Sequence, residues 1–194
     1  MPIITSELPP EAIDAVRRAL SATGRFPRRR GSALSLSSPH PIFTVALERL
    51  AVGDRVVDAA ELVGWRALLE EDEQVVAAVE LPAAEPGRAG ALVNRGAFVE
   101  STVAALSTAE RDERVASERV ELRLLRVNAL YLLALWLHAP EASTDLFVPL
   151  APAPAPLRAD ITYEGAQFQG ELSEMARSVA SAYQAAERPE ELGS

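Results

Sequence analysis

The chain of 194 residues contains no cysteine and no lysine. Without cysteine there is no disulfide framework and no thiolate metal site, and the composition suits a reducing compartment. Without lysine, all 19 basic residues are arginine, which in an alanine-rich chain is the mark of a GC-rich bacterial genome. Histidine occurs only at His40 and His138, a poor set for a metal, so no metal or cofactor is expected. No G-x-S-x-G elbow presents a nucleophile and no glycine-rich loop cradles a phosphate. No apolar run reaches the roughly 20 residues that cross a bilayer. The longest, Ala129 to Leu137, is flanked by Arg126 and His138. The N-terminus MPIITSELPPEAID has neither the basic region nor the apolar stretch of a signal peptide, and a cytoplasmic location is expected.

What is present is a globular composition. Apolar residues make up 48 % of the chain, enough for one domain with its own core. The formal charge of −9 disfavours nucleic acid as a partner, because phosphate contacts need a positive face.

Periodicity supplies the elements. Ile13, Val16 and Leu20 recur at helical spacing, predicting a helix over about Pro9–Thr23. The Arg-, Ser- and Pro-rich stretch RFPRRRGSALSLSSPHP reads as a loop that includes His40. Residues 42–50 fit either a strand or a helix, with a strand favoured at the start. From Val63 to Leu81, two alternating runs flank the polar tip Glu71-Asp72-Glu73 and predict a hairpin. Its rival over 59–70 is a helix capped from Asp58. A second helix follows, with Phe98, Thr102, Ala105, Leu106 and Ala109 on its inner face and a supporting Glu110–Arg114 pair.

The segment VELRLLRVNALYLLALWLH then alternates, changes phase at Leu124-Leu125 as a bulge would, and becomes wholly apolar. Val120–Val127, Leu130–Leu137 and DLFVPL are predicted as a meander of strands, the second of them interior sheet. APAPAPLRAD reads as an extended polyproline-type connector. A final helix places Phe168, Leu172, Met175, Val179, Ala182, Tyr183 and Ala186 on one face. The expectation is a single α+β domain over residues 1–188: an antiparallel sheet of about five or six strands, with N-terminal, middle and C-terminal helices packed on it. Residues 189–194 form a frayed tail. A homodimer would cover the sheet's remaining face or edges.

The pattern VELRLLRVNALYLLALWLH…DLFVPLAPAPAPL, preceded by VGWRALLEE, resembles a group of bacterial hypothetical proteins over Pro41 to Tyr183. Its motifs are packing motifs and bring no catalytic residue with them. The order helix, strands, helix, strands, helix is similar to that of type III secretion chaperones, which bind an unfolded partner segment as homodimers. That likeness implies a protein partner.

No constellation of catalytic, cofactor-binding or metal-binding residues stands out, so the sequence leans away from an enzyme and towards a non-enzymatic binding or accessory module of a bacterial cytoplasmic assembly. Two alternatives remain. One is a small enzyme with an Arg/Glu/His site, which would show as a deep pocket holding His138 or Arg126 beside a carboxylate. The other is a phosphate or RNA contact through Arg25, Arg28, Arg29 and Arg30, whose planar guanidinium donors suit such ligands. Trp65 would mark an interface if exposed and the core if not.

Overall fold

A computed structural model describes residues 3–22, 34–86, 90–140 and 144–186. Its elements in chain order are β1 (Ile3–Ile4), α1 (Pro10–Ala22), β2 (Leu34–Thr44), α2 (Leu47–Ala51), α3 (Val56–Ala59), β3 (Glu61–Glu71) and β4 (Gln74–Pro82). There follow β5 (Leu92–Asn94), α4 (Ala97–Arg111), α5 (Glu113–Ser117), β6 (Val120–Val127), β7 (Leu132–His138), β8 (Leu146–Pro149), β9 (Tyr163–Glu164) and α6 (Gly165–Ala186). A 3-10 turn, Asn128–Leu130, joins β6 to β7.

The fold is α+β, but the sheet is larger than expected and mixed. Eight strands run in the order β5-β4-β3-β2-β6-β7-β8-β9, and β1 makes a ninth by pairing with β6. Each half is antiparallel. The halves meet where β2 runs parallel to β6, with Ile42, Phe43 and Thr44 in register with Leu124, Leu125 and Arg126. That one junction, extended by the parallel β1–β6 pair, makes the sheet mixed.

The phase change at Leu124-Leu125 has a different cause from the one expected. The β6–β7 register is unbroken from Glu121↔His138 to Val127↔Leu132, so there is no bulge. Both faces are buried instead. Val120, Leu122 and Leu124 enter one core with Ala105, Ala109 and Leu135, under α4. Leu125 and Val127 enter another with Trp136, Phe147 and the α6 residues Phe168 and Leu172. A strand covered on both sides shows apolar residues on both parities. The second core is built on aromatics: Trp136 stacks on Phe147 at 5.9 Å and Phe147 on Phe168 at 4.3 Å, while Phe43 meets Trp136 edge-on at 5.3 Å. The wholly apolar run becomes β7, with Leu130 in the preceding turn. Helices α2, α3 and α6 pack into one core, α4 and α5 into the other, and α1 packs on β4.

Other expectations resolve locally. The hairpin is β3–β4, turning at Asp72 and Glu73, both left-handed. Residues 42–50 are both things in turn, strand to Thr44 and helix from Leu47. The stretch read as a loop contains β2 from Leu34, so His40 is a strand residue. β2 was hidden by its serines and prolines, and its register shifts twice, between Ser37 and His40 and between Ile42 and Phe43. On α4 the buried stripe runs through Val99, Thr102, Ala105 and Ala109, and Phe98 is half-exposed. The expected Glu110–Arg114 pair does not form, because the helix breaks at Asp112. That residue caps α5 and binds Arg114, which also reaches Glu164. The proline-rich connector is not one extended run: it bends at Ala151 and Pro152, turns at Ala155 and Pro156, and buries Leu157. Tyr183 and the end of α6, residues 181–186, are exposed, so the expected inner face ends before Ala182. The expected tail, 189–194, lies outside the described residues.

Gly64 of β3 sits where backbone approaches backbone. A Cβ there would stand 2.5 Å from the Leu81 carbonyl oxygen, which a strand held on both sides cannot yield. Gly64→Ala is expected to lower the unfolding free energy by about 1–3 kcal/mol in urea titration, as overpacking does.

Candidate functional site

Two clefts open on opposite faces of the sheet. The larger, about 640 Å³, lies beside the aromatic core, where the end of β7, the start of β8, α3 and the N-terminus of α6 converge. His138, Asp145, Arg55 and Gln169 supply its charged and amide groups; Val56, Phe147 and Ala166 supply apolar wall.

The β7–β8 register explains why His138 and Asp145 meet. Leu137 pairs with Leu146, so the next step outward places 138 opposite 145. The carboxylate of Asp145 accepts from His138 Nδ1 at 3.0 Å, from the Ala139 amide at 3.0 Å and from Trp136 Nε1 at 2.7 Å. Its backbone oxygen accepts from the Gly165 amide at 2.8 Å, tying α6 to the same point. Because Nδ1 donates to the carboxylate, Nε2 is the ring nitrogen left to accept or deliver a proton. Gln169 is engaged too: Oε1 accepts from the Val56 amide, and Nε2 donates to the Asp54 carbonyl and to Ser173 Oγ. Arg55 is exposed, with Asp58 at 3.8 Å, a separation that contributes little. The first turn of α6 carries no acidic residue, and Glu164, which directly precedes it, is paired with Arg114.

The smaller cleft, about 330 Å³, lies on the α4 face at the other end of β7, lined by residues of β2 to β6 and by Asn128. Arg126 donates to Glu80 at 2.6 Å, and Arg66 Nε stands 3.7 Å from the other oxygen of the same carboxylate. Arg66 is only 1 % exposed. Burial pulls its guanidinium below the ordinary pKa, against the opposing pull of Glu80. His40, its cross-strand neighbour, is fully buried and sits 2.6 Å from the Ser38 carbonyl through Nδ1. A carbonyl only accepts, so Nδ1 carries the proton and Nε2 bears the lone pair. His40 Nε2 and Arg66 Nε are the buried side-chain nitrogens without a hydrogen-bond partner among the described residues.

Thus both His138 and Arg126 stand beside a carboxylate in a cleft. Sequence reasoning missed Asp145, Arg55, Arg66 and Glu80. Asp145 was within reach: centring the β7–β8 hairpin so that Leu137 faces Leu146 pairs it with His138. Arg66 was not, because simple alternation put it on a solvent face. Trp65 is half-buried in β3, in register with Pro41 and Leu81. Arg25, Arg28, Arg29 and Arg30 lie outside the described residues. Among the described residues no group of three or more His, Asp or Glu could hold a metal, and no helix is long and apolar enough to cross a membrane.

No family model, no curated protein and no solved structure matches the chain. Its functional reading therefore rests on these clefts.

Two outcomes are expected. Asp145→Asn turns an amide donor towards the Trp136 or Ala139 donor and should destabilise the fold by about 2 kcal/mol or more in urea titration. The second concerns pH. Burial holds His40 at about 4, below its ordinary 6.5, with the Ser38 carbonyl partly opposing and Arg66 adding to the shift. The unfolded chain takes up a proton near pH 6.5 that the fold refuses until about pH 4. Stability is therefore whole above pH 6.5, declines as pH falls, and has lost about 3 kcal/mol from this group below pH 4. His40→Asn keeps a donor for Ser38 and should flatten that limb in denaturation curves taken from pH 7 to 4. The hydrogen bond from Arg114 holds Asp112 down at about 2, so its stabilisation is lost only between about pH 3.8 and 2, a separate window.

Proposed function

We propose that the protein is a non-enzymatic binding module whose larger cleft receives a partner protein's segment carrying a carboxylate. What supports this is the engagement of the cleft's polar side chains. Asp145 and Gln169 are occupied with holding β7, β8, α3 and α6 together. The donors left to meet a ligand are the exposed Arg55 guanidinium and the amide end of α6 beyond Gly165, whose own amide is taken by the Asp145 carbonyl. A guanidinium and a helix N-terminus suit a carboxylate, and Val56, Phe147 and Ala166 offer apolar contact to its neighbours. The likeness in element order to secretion chaperones points to a protein as the source. An accessory role in a bacterial cytoplasmic assembly, as a homodimer or a single chain, belongs to the same reading.

A second reading is favoured by one observation. Asp145 orients His138 as a carboxylate orients a general base, and Nε2 could take a proton from water or substrate in the cleft. Among the described lining residues Thr144 supplies the one hydroxyl, so the nucleophile in this reading is Thr144 or a water.

The binding reading is tested by pulldown from the native host with wild-type, Arg55→Glu and His138→Gln baits of matched melting temperature. A partner held by the wild type and by His138→Gln, but recovered at about one tenth or less on Arg55→Glu, is the expected result. Equal recovery on Arg55→Glu overturns the proposal.

A further inference from the structure

The smaller cleft carries an imbalance that the fold itself does not explain. Two guanidinium groups, Arg66 and Arg126, share a single carboxylate, Glu80. His40 beside them is buried and neutral above about pH 4, so it neither adds to this charge nor offsets it. Among the described residues the cluster therefore bears one positive charge in excess, and part of it is fully buried. An uncompensated buried charge is costly unless a counter-charge completes it.

The geometry says where such a counter-charge would sit. Arg66 is buried and does not line the cleft, whereas the Arg126 side chain is 30 % exposed and does. Its bond to Glu80 needs only one of its five N–H groups. Thr44 Oγ is engaged in donating to the Arg126 carbonyl, and the Asn128 side chain stands at the same wall. Glu80 also lines the cleft, with Oε2 held by Arg126, and the rest of the lining is apolar or side-chain-free: Ile42, Val63, Leu81, Pro82 and Leu92, with Gly64 and Gly90. Leu92 is 59 % exposed at the rim and Val63 38 %, an apolar lip beside a cationic wall.

We infer that this cleft binds a small carboxylate with an apolar body, its head on Arg126 and its tail against Val63, Pro82 and Leu92. A planar guanidinium fork matches a carboxylate, and a volume of about 330 Å³ suits a small ligand. The site is independent of the larger cleft.

The test is a titration of the ¹⁵N-labelled full chain with sodium hexanoate, following the backbone amides of Gly64, Leu92 and Asn128. Hexanol, which lacks the charge, and inorganic phosphate, which lacks the tail, serve as comparison probes. Saturable shifts with hexanoate are expected, with hexanol and phosphate binding at least about tenfold more weakly. Arg126→Met should raise the hexanoate Kd by about tenfold or more, the effect of losing a charge-assisted hydrogen bond. That variant leaves Glu80 beside Arg66. Should it fail to fold, Leu92→Glu, at an exposed position, tests the same site by setting a repelling charge at the rim, and should likewise weaken hexanoate. Absence of saturable shifts, a Kd unchanged in the folded variants, or phosphate or hexanol binding as well as hexanoate each overturns the inference.

Discussion

The structure depends on a three-residue seam. Two antiparallel half-sheets meet only where Ile42–Thr44 of β2 runs parallel to Leu124–Arg126 of β6, with the two residues of β1 extending the line. So short a ladder cannot hold nine strands by its own hydrogen bonds, each of which adds only about 1 kcal/mol net. Side chains reinforce it on both faces. On one, Arg126 reaches across the seam to Glu80, and Thr44 Oγ bonds the Arg126 carbonyl. On the other, Phe43 meets Trp136, and Arg123 lies over both rings at 5.2 and 4.8 Å. The seam is thus clamped by an ion pair above and an aromatic–cation cluster below.

The same seam governs what could be read from the sequence. The three long helices, α1, α4 and α6, and the β3–β4 hairpin were legible because each carries its own period within one continuous segment. The double-sided burial of β6 was not, because its apolar parity change looks the same as a bulge and only the placement of α4 and α6 separates the two. β2 was hidden for a related reason. Its early part is serine-rich and its pairing is irregular, yet it becomes the central strand of the seam through Ile42 and Phe43. Arg66 was misplaced because alternation predicts a solvent face, and it is instead buried beside His40 and Glu80. Whether residues 42–50 were strand or helix could not be decided because the segment is one and then the other.

The two clefts follow from this architecture. β7 leads from the Asn128 turn at one end to His138 at the other, a rise of roughly 20 Å, and the clefts sit at those opposite ends on opposite faces. Neither shares a lining residue with the other. Their chemistry differs as well. In the larger, a carboxylate is saturated with donors and orients a histidine; in the smaller, a carboxylate is outnumbered by guanidiniums. A ligand at one meets none of the groups at the other.

The outermost strands are the shortest of their half-sheets. β5 offers three residues and β9 two, and they pair with β4 only at Ala78–Glu80 and with β8 only at Leu146 and Phe147. A longer bare rim would invite copies to stitch together strand against strand. With both rim strands cut short, a second copy docking edge to edge finds only two or three residues to pair with on either of them.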